Sequence, residues 1–152
     1  MVLTQKEKTL IEDLKSHEKL CIEKYTKYSS EAKDGQLKNL FNEIAGMETR
    51  HLSMLDSITD GTVPKINEGG SSNNASGFTA TYSMTDSPDK QCDAYLCADV
   101  LSMEKHVSSV YDTCIFEFSD QGIRDVFNHI QKEEQNHGKR IYDYMSTNSM
   151  YS

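Results

Sequence analysis

The chain has 152 residues, 36% hydrophobic and 26% charged, with a formal net charge of −8. That length suits one core, and the acidic balance without a basic stripe speaks against binding nucleic acid through its phosphates. No apolar run approaches the roughly 20 residues needed to span a bilayer, and the N-terminus lacks a secretory pattern, so an intracellular (cytoplasmic) protein with no membrane partner is expected.

In chain order, the first periodic segment carries Leu3, Leu10, Leu14, Cys21, Tyr25, Tyr28 and Ala32 at three- and four-residue steps, one face of an amphipathic helix. Lys33-Asp34-Gly35 interrupts it as a tight turn. A second helix is expected from about Gln36 to Ile58, with Leu37, Leu40, Phe41, Ile44, His51, Leu52 and Leu55 inward. Asp60-Gly61 ends it, with Pro64 just beyond. Residues 61–86 are rich in Gly, Ser, Asn and Thr and have no helical period. A connection this long is uncommon inside a compact domain, unless it crosses the length of a bundle and makes helix three parallel to helix two.

Ser87-Pro88 reads as an N-cap followed by proline at the first helical position. Helix three is expected to about Phe118, with Tyr95, Val100, Leu101, Val107, Tyr111, Cys114 and Ile115 along one side. Ser119–Gly122 forms the second hairpin turn. Helix four follows from Ile123 to about Met145, with Val126, Phe127, Ile130, His137, Ile141 and Tyr144 inward. The expected organisation is therefore all-α: a single domain with hairpin 1 over about 3–60, a crossover over 61–86, hairpin 2 over about 87–146, and a frayed, flexible tail over 147–152. The four cysteines, Cys21, Cys92, Cys97 and Cys114, form no C-x-x-C pair and read as buried thiols.

The two hairpins superimpose without gaps at an offset of 86. Glu18-Lys19 matches Glu104-Lys105, Tyr25 matches Tyr111, Asp34 matches Asp120, Phe41-Asn42 matches Phe127-Asn128, Glu48 matches Glu134 and His51 matches His137. Such self-similarity marks a repeated structural unit, here a pseudo-two-fold pair of hairpins.

Each half thus holds one lone glutamate on its first helix and an E-x-x-H on its second: Glu18 with Glu48 and His51, and Glu104 with Glu134 and His137. Residues i and i+3 share a helix face, and all four glutamates sit among apolar face neighbours. Four carboxylates at one level of a bundle interior repel and resist desolvation. Two divalent cations would neutralise them, and with two imidazoles the N/O donor set suits iron first, with manganese or zinc as alternatives. Tyr25 and Tyr111, two turns past the lone glutamates, read first as core residues within reach of the site's outer shell. Glu133 can orient a ligand histidine from across the bundle, where Met47, its counterpart, cannot. His17, His106 and His129 read as ordinary, partly exposed histidines.

The pattern Glu…E-x-x-H…Glu…E-x-x-H resembles the ferritin-like di-iron superfamily, including bacterioferritin and rubrerythrin, and is the ligand pattern of that bundle class. The resemblance implies a ferritin-like four-helix bundle in which Glu48 and Glu134 bridge two metals, Glu18 and His51 cap one, and Glu104 and His137 the other, with O2 or peroxide as the reactant. Val107 stands where rubrerythrin carries a further glutamate. The stretches EKH (Glu104–His106), IRDVFNHIQKEEQNHG (Ile123–Gly138) and IYDYM (Ile141–Met145) resemble the second half of the spore coat protein F family of endospore-forming Firmicutes. That resemblance implies a sporulation role, location in the spore coat, and assembly as a homodimer or with coat proteins. It leaves open a structural alternative, with no substrate and a metal site that is structural or vestigial.

Overall fold

The computed structural model describes residues 2–66 and 77–151, and is all-helical over them. Its elements are α1 (Gln5–Glu31), α2 (Gly35–Thr59), α3 (Pro88–Glu117) and α4 (Gln121–Thr147). Each helix begins where a side chain can satisfy its free N–H groups. Thr4 caps α1 in a reciprocal capping box with Glu7. Asp34 and Asp120, matched by the repeat, cap the second helix of each hairpin. Ser87 caps α3 just before Pro88, as its Ser-Pro pair predicts.

Contacts between side chains set the directions. Within hairpins, Ser29 Oγ donates to the carbonyl of Lys38, and Gln131 Nε2 to that of Ser108. Between them, Lys6 near the start of α1 reaches Glu117 at the end of α3, and Lys24 reaches Asp99. Arg140 of α4 reaches Glu43 of α2. Thus α1 runs antiparallel to both α2 and α3, and α3 runs parallel to α2. Two helical hairpins pack as a four-helix bundle around Leu14, Phe41, Ile44, Leu55, Val100, Phe127, Ile130 and Ile141, all fully enclosed.

The parallel pair needs a connection along the bundle, and its described parts touch both ends. Val63 packs beside Gly122 at the start of α4, where a Cβ on that glycine would lie 3.1 Å from Val63 Cγ1. At the other end, Gln36 holds Thr79, and Asn148 Oδ1 accepts the N–H groups of Thr81 and Tyr82. Of the expected crossover 61–86, residues 67–76 lie outside the described residues.

One expectation changes. Tyr95, expected inward, is 71% exposed. The buried row of α3 is Asp93, Leu96, Cys97, Val100, Glu104, Val107, Tyr111 and Cys114, and Tyr95 lies a third of a turn off it. At the C-terminal end α4 runs to Thr147, Asn148 is fully buried and donates to the Tyr144 carbonyl, and Tyr151 packs edge-on against Tyr142. Leu52, Leu101 and Ile115 sit at the margins of the core. Cys21, Cys97 and Cys114 are buried free thiols and Cys92 is half-buried.

A buried polar cluster ties the upper end together. Asp93, fully buried, accepts from the backbone N–H groups of Lys33 and Asp34 and from the Tyr82 hydroxyl. Tyr144 donates to Asp34. One carboxylate thereby joins the first hairpin turn, the end of the crossover and α3. Among the described residues, no helix is long and apolar enough to cross a membrane.

Candidate metal centre

All six residues singled out by the repeat converge at mid-bundle, and each is 3% exposed or less. Glu18 comes from α1, Glu48 and His51 from α2, Glu104 from α3, and Glu134 and His137 from α4. They fall into two four-residue groups able to hold a metal ion. One is Glu18, Glu48, His51 and Glu134; the other is Glu48, Glu104, Glu134 and His137. In each, the donor atoms lie within 4.8 Å of one another. Glu48 and Glu134 belong to both.

The geometry repeats across the pseudo-two-fold. His51 Nδ1 lies 3.1 Å from Glu134 of the opposite hairpin and 3.5 and 3.8 Å from Glu48 and Glu18 of its own. His137 Nδ1 lies 3.0 Å from Glu48 across the bundle and 3.4 and 3.8 Å from Glu104 and Glu134. The two rings stack at 5.9 Å. Tyr25 of hairpin 1 donates to Glu104 Oε1 at 2.5 Å, and Tyr111 of hairpin 2 donates to Glu18 Oε1 at 2.6 Å. The periodicity puts these tyrosines in the core, and they are there. What the structure adds is that each hydroxyl secures the lone glutamate of the other hairpin. Their match at offset 86, seven residues past a ligand, was the available signal.

Symmetry breaks on the outer side of the histidines. Glu133 accepts from His51 Nε2 at 2.9 Å and also contacts His129 at 3.1 Å. Met47 stands at the matching place in the first half, and His137 Nε2 has no partner. His17 and His106 meet edge to face, with ring centroids 5.5 Å apart and away from the cluster.

His51 Nδ1 hydrogen-bonds Glu134 Oε1, but much of the remaining proximity is not hydrogen bonding. Glu18 Oε2, both oxygens of Glu48, Glu104 Oε2, Glu134 Oε2 and both nitrogens of His137 are buried without a hydrogen-bond partner. His137 Nδ1 and Glu48 Oε1 approach to 3.0 Å but are not aligned as donor and acceptor. Buried polar atoms are nearly always paired, and leaving one unpaired costs about 1–3 kcal/mol. A cluster of converging, unpaired carboxylate and imidazole atoms is what a cation would satisfy, so the donor set fits a metal.

Charge gives the same reading. Burial, together with the neighbouring Glu48 and Glu134, pushes Glu18 well above the usual carboxylate range. Burial, then Glu134, pushes Glu104 up to about 8. For Glu48 burial acts upward too, but attraction to His137 and His51 outweighs it and holds the group at about 2. Burial alone would lower both imidazoles; the surrounding carboxylates outweigh it and raise them well above the ordinary value. Without metal, then, these directions favour protons on Glu18, Glu104 and the two imidazoles and an ionised Glu48. Two divalent cations would take over that neutralising role and displace protons.

The fold and site define a four-helix bundle with a buried carboxylate–histidine cluster able to hold metal ions. Residues 92–152 match the family model of the Coat F domain, a stretch that takes in nearly all of α3, the whole of α4, and Glu104, Glu134 and His137. No curated protein and no solved structure matches the chain.

Proposed function

We propose that this chain is a di-metal carboxylate protein of the ferritin-like type, working in a spore-coat setting and reacting with O2 or peroxide. The observation that carries the reading is the pair of buried ligand groups sharing Glu48 and Glu134. Glu48 and Glu134 would be shared by the two cations, as in paired-metal sites. Iron is the first expectation, with manganese or zinc as alternatives. The Coat F match supports the spore-coat setting.

Bound metals of this kind supply two-electron redox chemistry toward small oxidants. The protein's own residues do the rest. Glu18 and His51 would complete one position, Glu104 and His137 the other. Tyr25 and Tyr111 hold one oxygen of each lone glutamate and leave its Oε2 unpartnered, which fixes the carboxylate's orientation. Glu133 fixes the ring of His51 through Nε2. Leu14, Ile44, Val100 and Ile130 are buried in the same core, and a low-dielectric surrounding strengthens charge interactions.

Element analysis of protein purified without chelators should find up to two metals per chain. Iron-loaded protein should then consume peroxide faster than its Glu18→Gln and Glu104→Gln variants. Protein that refuses iron, manganese and zinc on reconstitution would overturn the reading. The second reading is a structural coat or interaction protein whose metals only stabilise the bundle. It is favoured by the Coat F match and by aromatic side chains left open to assembly, with Phe116 84% and Tyr95 71% exposed. Two irons per chain with no peroxide consumption above the variants would select it.

A further inference from the structure

The pseudo-two-fold that organises the cluster is broken on one flank of the bundle. Between α3 and α4 lies a groove of about 450 Å³ that opens to solvent and is lined by Leu101, Ser108, Gly138, Tyr142 and Tyr151. Glu104 and Glu134 also line it, and both carry an unpartnered Oε2. The groove therefore leads from the surface to two members of the second ligand group.

Stepping back 86 residues gives the matching flank of hairpin 1, where the side chains differ in bulk. Leu52 stands at the place of Gly138, Ile22 at that of Ser108, Lys15 at that of Leu101, and Asp56 at that of Tyr142. Lys15 is nearly buried and bonds to Asp56 at 3.2 Å and Glu12 at 3.3 Å, bracing α1 against α2. Gly138 is the key position: a Cβ there would meet only Leu101 Cδ1, at an ordinary 3.6 Å. The missing side chain is thus not demanded by close packing, nor by backbone conformation, since Gly138 lies within α4. It leaves open space instead.

We infer that the α3–α4 groove admits a small anion, of the size of azide or hydroperoxide, to the metal position formed by Glu104 and His137, and that at the matching places of hairpin 1 the bulkier Leu52, Ile22 and Lys15 narrow the path. Anionic character follows from the dication beyond and from Lys105 on the groove wall, a positive group in an otherwise acidic chain. The two metal positions are therefore inequivalent despite matched ligands: one faces the groove, and the other stands beside the bulkier Leu52, Ile22 and Lys15. This rests on the di-metal reading.

The test uses the full chain loaded anaerobically with Co(II), whose visible spectrum changes when an added anion joins its ligands. Metal content is measured first, then azide association by stopped-flow absorption, in wild type, Gly138→Ala, Gly138→Leu and, on the matching flank, Leu52→Met. Gly138→Leu reproduces the side chain at the matching place of hairpin 1 and has room for its Cβ, so the bundle should fold; thermal melts verify it. Expected are equal cobalt contents throughout and a wild-type rate for Leu52→Met, with Gly138→Ala between wild type and Gly138→Leu. Association in Gly138→Leu should be slower by about tenfold or more, equivalent to about 1.4 kcal/mol of added barrier. Equal rates in wild type and Gly138→Leu, or no azide response from cobalt-loaded wild type, would overturn the groove and leave the metal reading standing. Wild-type protein that takes up no cobalt would remove both.

Discussion

Glu48 belongs to both ligand groups and Glu18 to one, so their loss should differ in kind. Glu48→Gln removes a shared carboxylate and should abolish both metal positions; Glu18→Gln should leave the Glu104–His137 position intact. Stability offers a sensitive readout, because a ligand that binds only the folded state adds RT ln(1 + [L]/Kd). At a hundredfold excess over Kd that is about 2.7 kcal/mol per site, or about 5 kcal/mol for two independent sites. For a chain of this size 1 kcal/mol moves Tm by roughly 2–4 °C. Wild type should therefore gain about 10–20 °C on metal addition, Glu18→Gln about half of that, and Glu48→Gln little. The assay is calorimetric melting of each protein with and without metal, each variant compared with its own metal-free form, beside element analysis. The structural source of the gain is the set of buried, unpaired oxygens and nitrogens at the cluster. A full wild-type gain in Glu48→Gln, or equal losses in the two variants, would refute the shared-carboxylate geometry.

The metal-free bundle should weaken as pH rises. A carboxylate raised in the folded state contributes stability that is fully present below its unfolded value and is lost as pH climbs through its folded one. For Glu104 that window runs from 4.5 to about 8, and the raised Glu18, His51 and His137 act in the same direction. Urea midpoints measured across this range should fall without metal and stay level with it, and metal addition at neutral pH should release protons into weak buffer; a flat metal-free profile would refute the charge arrangement. Tyr25→Phe and Tyr111→Phe should keep the fold but weaken metal binding by about 10–100-fold, the usual effect of losing a partner that orients a ligand, measured by competition with a coloured chelator. Asp93→Ala strips charged acceptors from two backbone N–H groups and the Tyr82 hydroxyl and should cost on the order of 4 kcal/mol, read as a lower urea midpoint with unchanged slope.

Much of this molecule was legible in the chain because the deciding interactions are local. Helical period, the Ser87-Pro88 start and the turn at Asp34 depend on neighbours within a turn. The paired E-x-x-H motifs depend only on i and i+3 sharing a face. The repeat at 86 then predicted which two lone glutamates would join them, and all six side chains do meet in the core. What the tertiary structure alone decided is the register between hairpins. Tyr25 secures Glu104 rather than Glu18, its neighbour two turns away, because the hydroxyl reaches across the α1–α3 contact. Asp93 gathers a hairpin turn and the end of the crossover for the same reason, and Tyr95 misses the core by one position in the helical rotation. Helix periodicity states which face is apolar, but not which residue of another helix will stand opposite it. That depends on how side chains of unequal bulk interlock between helices. The same reason decides that Gly138, which the repeat matches to Leu52, lines an open groove between α3 and α4.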